Sequence, residues 1–357
     1  MMALQRLRLT AWDRGIVLLL ILTLLFGGMF SELFMTGDNL NFVISDVSEV
    51  LLIAFPMALL IIVRDIDLSV ASSLTLASAV IGITYEATLS MPIAVVAGLA
   101  TGSLCGLVNG LLVTKLGLSS LAVTIGTLAL YRGLCFVLLG DMPISSFPME
   151  WTDLAFYPIG STFLPWSVVL LALFGALFWY LLHGTRFGRW CYAIGQGEEA
   201  AAYSGIPVDR VRLLLFVMTG FMAGLAGLVY TLRFASASPD GAMGYELIVI
   251  AAVLFGGVAI AGGIGTMWGV MAAVLVWGAS RSLLQLAGFD ANALVIVSGL
   301  LLLVSVAIPQ LISRLREQLG HRSPRGGNPT RGEASLPSGN EVVHPSPAGA
   351  GHDQGSN

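Results

Sequence analysis

Lysine occurs once in the 357 residues, at Lys115, and charged residues make up only 11%, where an ordinary soluble domain has about 25%. A P-loop needs the lysine of G-x-x-x-x-G-K-[ST] to reach the β- and γ-phosphates. Here Thr114 precedes the single lysine and no such motif surrounds it, so ATP hydrolysis of that class is excluded. Histidine is equally scarce: His183 stands at the edge of an apolar run and His321, His344 and His352 lie far downstream. That supply does not build a histidine zinc site or a Ser-His pair, and no G-x-S-x-G elbow is present. The three cysteines, Cys105, Cys135 and Cys191, lack metal spacing and read as unpaired thiols. No catalytic residue, metal or cofactor is expected, and without a basic stripe no nucleic-acid partner is either.

What remains is apolar. Hydrophobic residues make up 56% of the chain, too many for a water-facing surface, so the lipid bilayer is the expected solvent. Apolar segments run at about 15–33, 43–63, 67–86, 92–114, 118–139, 165–182, 213–234, 245–261, 267–287 and 292–312. Most approach the ~20 residues that a hydrocarbon core of ~30 Å requires, while the third and eighth are short or interrupted by glycine. The expected fold is therefore all-α: a polytopic integral membrane protein of about ten transmembrane helices with both termini cytoplasmic.

Basic residues orient it. With the N-terminus inside, the inner loops and tails collect Arg6, Arg8, Arg14, Arg64, Lys115, Arg186, Arg189, Arg210, Arg212 and five arginines beyond residue 313. The opposite loops contain no lysine or arginine and carry Asp38, Asp141, Glu150, Asp153, Asp240 and Asp290 instead. Residues 1–14 read as a cytoplasmic N-terminus, 15–312 as the transmembrane domain with a large inner loop at 183–212, and 313–357 as a disordered cytoplasmic tail rich in Gly, Pro, Ser and Asn. Arginines before the first apolar run imitate a secretory signal, but no small-x-small cleavage site follows, so a retained first span is expected. In the long outer loop 141–165, prolines argue against another span and aromatics suit the membrane interface.

Helices in lipid associate through small residues that let backbones approach. Gly98, Gly102, Gly106 and Gly110 recur at four-residue spacing, Gly220, Gly224 and Gly227 repeat the pattern more weakly, and six glycines lie between 256 and 269. Such density implies tight packing, broken helices, or both. Deep ionisable residues are few: Arg132, with Asp46, Glu49 and Glu246 nearer the ends of their segments. That is a thin inventory for a proton relay.

The inner loop reads HGTRFGRWCYAIGQGEEAAAYSGIPVDRVR from His183 to Arg212. It favours a short helix from Glu198 to Tyr203, with acidic residues at its start and Gly205 and Pro207 stopping it. Its Gly188, Arg189, Tyr192, Ala193, Ile194, Gly195, Ala200, Ala201, Ser204, Gly205, Ile206 and Val208 match GRxxYAIGxNxxAAxxSGIxV, a pattern of the permease family of bacterial ABC importers for sugars such as ribose, xylose and rhamnose and for autoinducer 2. The chain resembles that family over nearly its whole membrane portion, from TGDNLNFVI at Thr36 through VRDIDLSVASS at Val63 to ELIVIAAVLFGGVAIAGGIGTMWGV at Glu246. The second segment departs from the usual SGGIDLSVGS, with Arg64 and Asp65 in place of small residues and Ala71 in place of glycine.

The resemblance implies a bacterial inner-membrane permease, paired with a second permease, identical or homologous, carrying cytoplasmic ABC ATPase subunits and fed by a periplasmic sugar-binding protein. It also implies a coupling element for the ATPase at Gly188, Arg189, Gly195, Glu198, Glu199, Ala200, Ala201, Ser204 and Gly205. Asp67 and Ser69 read as oxygens capping the third span, or as gating residues. Asn109, Arg132 and Glu246 are candidates for the solute path; a buried Asn also suits a bond to a neighbouring helix, and Arg132 a carbonyl or Asp141. The stretches at Leu104 and Phe147 look most like rhamnose-type permeases, with autoinducer 2 permeases next. An ion-coupled transporter or facilitator and a non-transporting scaffold are the other classes weighed.

Overall fold

The structure, a computed structural model, describes residues 10–140, 142–289, 296, 299 and 300. Most of the segment expected at 292–312, the tail from 313, Arg6, Arg8, Asp141 and Asp290 lie outside the described residues. Twelve helices account for nearly all the regular structure among those described.

Helix α1 (Ala11–Phe30) opens on a capping box in which Thr10 and Asp13 exchange side-chain and backbone bonds. α2 (Gly37–Ile62), begun by the Thr36 cap, is buried almost throughout from Val43 to its end and forms the centre of the bundle. α3 (Val70–Thr88), α4 (Met91–Lys115) and α5 (Ser120–Leu139) follow as long apolar helices, and α7 (Ser167–Gly184), α10 (Val208–Phe234) and α12 (Met267–Leu286) complete a set of eight long enough to cross a membrane. α11 (Tyr245–Phe255) is also apolar, but at 11 residues it rises only about 16 Å, half a hydrocarbon core.

α11 is short because the chain breaks at Gly256. From there to Thr266 it runs without helix, and Gly257 and Gly262 take left-handed φ of 90° and 80°, where a side chain would be strained. The expected eighth span at 245–261 is thus half helix and half irregular segment. A second break at Val63–Ser69 separates α2 from α3.

The glycine ladders do what small residues permit. Carbon built at Gly102 or Gly106 on α4 would collide with the backbone of Gly220 or Phe216 on α10, and at Gly220 with that of Gly102. The two helices therefore touch backbone to backbone. In the loop expected at 141–165 lies the short helix α6 (Met149–Phe156); Phe147 stacks on Tyr85 at 5.8 Å, and Trp151 packs against the cluster of Ile81, Met91 and Leu232.

Candidate functional site

The inner loop folds into two helices, α8 (Arg186–Gln196) and α9 (Glu198–Tyr203), joined through Gly197. The second matches the helix expected from sequence. The first, which carries Gly188 and Gly195, is not among the helices expected from sequence. Packing explains both: carbon at Gly188 would strike the Leu182 carbonyl, and at Gly195 the Ile62 carbonyl and the Gly263 backbone. α8 starts on a Thr185 cap whose Oγ1 accepts from the Gly188 N–H at 3.3 Å.

At Gly195 three segments meet: the end of α2, the 256–266 segment and α8. The Gly263 N–H donates to the Ile62 carbonyl at 2.9 Å. Tyr192 donates its hydroxyl to the Gly265 carbonyl at 2.7 Å, and Arg64 donates to the Gln196 carbonyl at 3.3 Å. Both helix breaks are thus fastened to one element.

An ion-pair group continues the contact. Arg212 on α10 grips Asp65 with two parallel bonds, Nε to Oδ2 at 2.6 Å and Nη2 to Oδ1 at 2.7 Å, while its Nη1 reaches Glu198 of α9 at 3.3 Å. Asp65 is 2% exposed and Glu198 55%, so the two arms differ in strength. The backbone of Arg64, at φ 72°, takes the left-handed turn that glycine takes most readily.

Among the residues expected to couple to an ATPase, Arg189, Glu198, Glu199, Ala200, Ser204 and Gly205 are exposed. Gly188, Gly195 and Ala201 are buried and shape the element from within, so they are not free to meet a partner. Tyr203, 93% exposed, is a surface residue that the sequence reading did not single out. Arg64, Glu198, Glu199 and Asp209 line an open depression beside it.

Asp67 and Ser69 do not cap α3 as expected. Ser69 sits at the cap position, but its hydroxyl makes no cap bond; the backbone N–H and hydroxyl of Ser69 both donate to Asp67 Oδ1, at 2.9 and 2.7 Å. Buried Asn109 on α4 donates to Ser69 Oγ at 2.8 Å and accepts from the Tyr131 hydroxyl at 3.3 Å. A four-residue polar network replaces the cap, because Asp67 is buried and needs donors around it. Arg132 donates through Nη1 to the carbonyls of Pro239 and Gly241 at 3.0 and 2.7 Å and to Thr75, the carbonyl option of the sequence reading. Two of the three side chains offered for the solute path, Asn109 and Arg132, are thus engaged by protein groups. Glu246 stands half-buried in the first turn of α11, with no side-chain bond among the described residues.

The sequence reading missed a second charged group. In the half of the bundle away from the inner loop, Arg233 on α10 donates to Glu49 at 2.8 Å and to Asp46 at 3.1 Å, both on α2. Arg281 on α12 reaches both oxygens of Asp46 at 2.9 and 2.8 Å, and Tyr245 accepts from Arg233 at 3.4 Å. Asp46 and Glu49 are one helical turn apart, the single local signal that could have marked them as partners for buried cations. All three cysteines are free and buried, and burial pushes the Cys191 thiol up to about 12.

A bundle of apolar helices, in which the turn between α2 and α3 and the irregular 256–266 segment are both fastened to α8 with the exposed α9 next to it, defines a multi-pass membrane transport subunit. The chain belongs to the family described as the branched-chain amino acid transport system permease component, which matches residues 39–306. It is 32% identical over 323 residues to the autoinducer 2 import system permease protein LsrD of Escherichia coli K12, with 89% of this chain and 97% of that protein covered. The proteins of the same name from Shigella flexneri and Escherichia coli O157:H7 match with the same identity and coverage. No solved structure matches the chain. It is an inner-membrane permease of an ABC importer for sugar-type solutes, a family that works with separate ATPase and substrate-binding proteins.

Proposed function

We propose that the chain moves autoinducer 2, or a small polyhydroxylated solute chemically close to it, into the cytoplasm. The observation that carries this reading is the similarity to autoinducer 2 permeases over 89% of the chain, including the inner loop. Rhamnose, favoured by the sequence reading, has no support from those relatives and ranks second. In this reading the side bearing Arg64, Lys115, Arg186 and Arg189 faces the cytoplasm, as the distribution of basic residues supports. The exposed α9 with Glu198, Glu199 and Tyr203 docks the ATPase, and a second permease, identical or homologous, completes the membrane unit.

Proteoliposomes containing the permease, its ATPase and its binding protein test the reading. Labelled autoinducer 2 should accumulate with ATP and without an ion gradient, and unlabelled rhamnose should not compete. Uptake of rhamnose alone would reverse the ranking. Uptake driven by an ion gradient with the ATPase omitted would move the protein to the secondary-transporter class.

A further inference from the structure

We propose that Arg212 is a positioning residue that ties the short helix α9 to the turn between α2 and α3, and that Asp65 keys this tie to the present chain. The inference rests on the importer reading, in which α9 receives the movement of an ATPase. Three observations carry it. Arg212 is the one side chain among the described residues with ion pairs to both α9 and the 63–69 turn. The Asp65 arm is two-pronged and buried, while the Glu198 arm is a single contact at the water edge. Two residues beyond Asp65, Asp67 holds Ser69, and Ser69 holds Asn109, so the turn that Arg212 grips continues into a buried network between helices.

The asymmetry sets the roles. A bidentate guanidinium–carboxylate pair away from water has fixed geometry and is costly to break, whereas an exposed ion pair contributes little and exchanges readily with water. A push on α9 through its backbone and Glu198 therefore reaches the turn as a displacement of Asp65, with Arg212 as the rigid member. Arg64, whose guanidinium bonds the Gln196 carbonyl at the end of α8, limits sideways slip of the junction from which α9 starts. Lysine at position 212 would supply the charge without the fork and so hold Asp65 less firmly.

The test is the amount of solute moved per ATP hydrolysed by the reconstituted complex, measured beside ATPase co-purification. Wild-type complex is assayed first: without ATP-dependent uptake, the importer reading itself fails. With that established, Arg212→Gln and Asp65→Gly should each lower solute per ATP about five-fold or more, the scale of typical coupling between sites, while the ATPase still co-purifies. Arg212→Lys should fall between these and wild type. The charge exchange Asp65→Arg with Arg212→Asp and Glu198→Arg restores both arms with reversed sign and should recover much of the ratio, which a merely structural loss would not. Wild-type solute per ATP in Asp65→Gly would overturn the proposal, even where Arg212→Gln fails to fold. A well-folded exchange variant no better than either single variant would overturn it too.

Discussion

Two ionic groups occupy opposite ends of the bundle, and they are built on different principles. The first joins Asp46 and Glu49 of α2 to Arg233 of α10 and Arg281 of α12: two cations against two anions, with Glu49 wholly buried and Arg233 9% exposed. The second joins Arg212 to Asp65 and Glu198, one cation against two anions, and opens to water at Glu198. An ion inside a membrane costs ~2.5 kcal/mol or more unless paired, so the first group persists only as a complete set. The second can lose its outer arm to hydration at little cost. The comparison teaches that charge balance marks a fastening and charge excess at an edge marks a part free to move.

The largest expected effect comes from breaking the balanced set. Arg233→Leu leaves two buried carboxylates facing only Arg281, and should destabilise the protein by about 3–5 kcal/mol, seen as loss of monodisperse protein in detergent. Well-folded Arg233→Leu would show that the cluster is not a fastening. Next comes Arg281→Gln, whose side chain is 29% exposed and which leaves Arg233 on Asp46; a loss of about 1.5 kcal/mol is expected in thermal unfolding. At the other end, Glu198→Gln should change stability by less than about 0.5 kcal/mol. A larger loss would place both groups in one class.

The smallest effect concerns Cys191 on α8. Its thiol is raised by burial to about 12 from 9.0, so it stays neutral at working pH and should resist maleimide at pH 8 until the protein unfolds. The sign follows: the unfolded thiol ionises first, so its contribution to stability is complete below pH 9 and fades as pH rises toward 12. Rapid labelling of the native protein would show that α8 detaches from its contacts with Ile62 and Gly263.

Much of this was legible in advance. Each of the nine apolar segments that fall among the described residues carries a helix, the eighth over part of its length, because a run of ~20 apolar residues satisfies its backbone only as helix in lipid. Arg186–Gln196 is a helix that the sequence pattern of the inner loop does not announce; its two glycines fit because neighbouring backbones press on them. Asp67 and Ser69 were placed at the right turn with the wrong bonds. Local rules know of caps, while the partner that reorganises them, Asn109, is 40 residues away.

By itself the sequence determined the membrane solvent, the helical class, the short helix at Glu198 and the permease family, all of which depend on composition, period or contiguous pattern. Tertiary structure alone decided which charges pair. Arg233 meets Asp46 across 187 positions and Arg212 meets Asp65 across 147, separations over which no periodicity carries information. The physical reason is that a buried charge must find whatever opposite charge folding brings within about 3 Å, and only the packed bundle fixes which one that is.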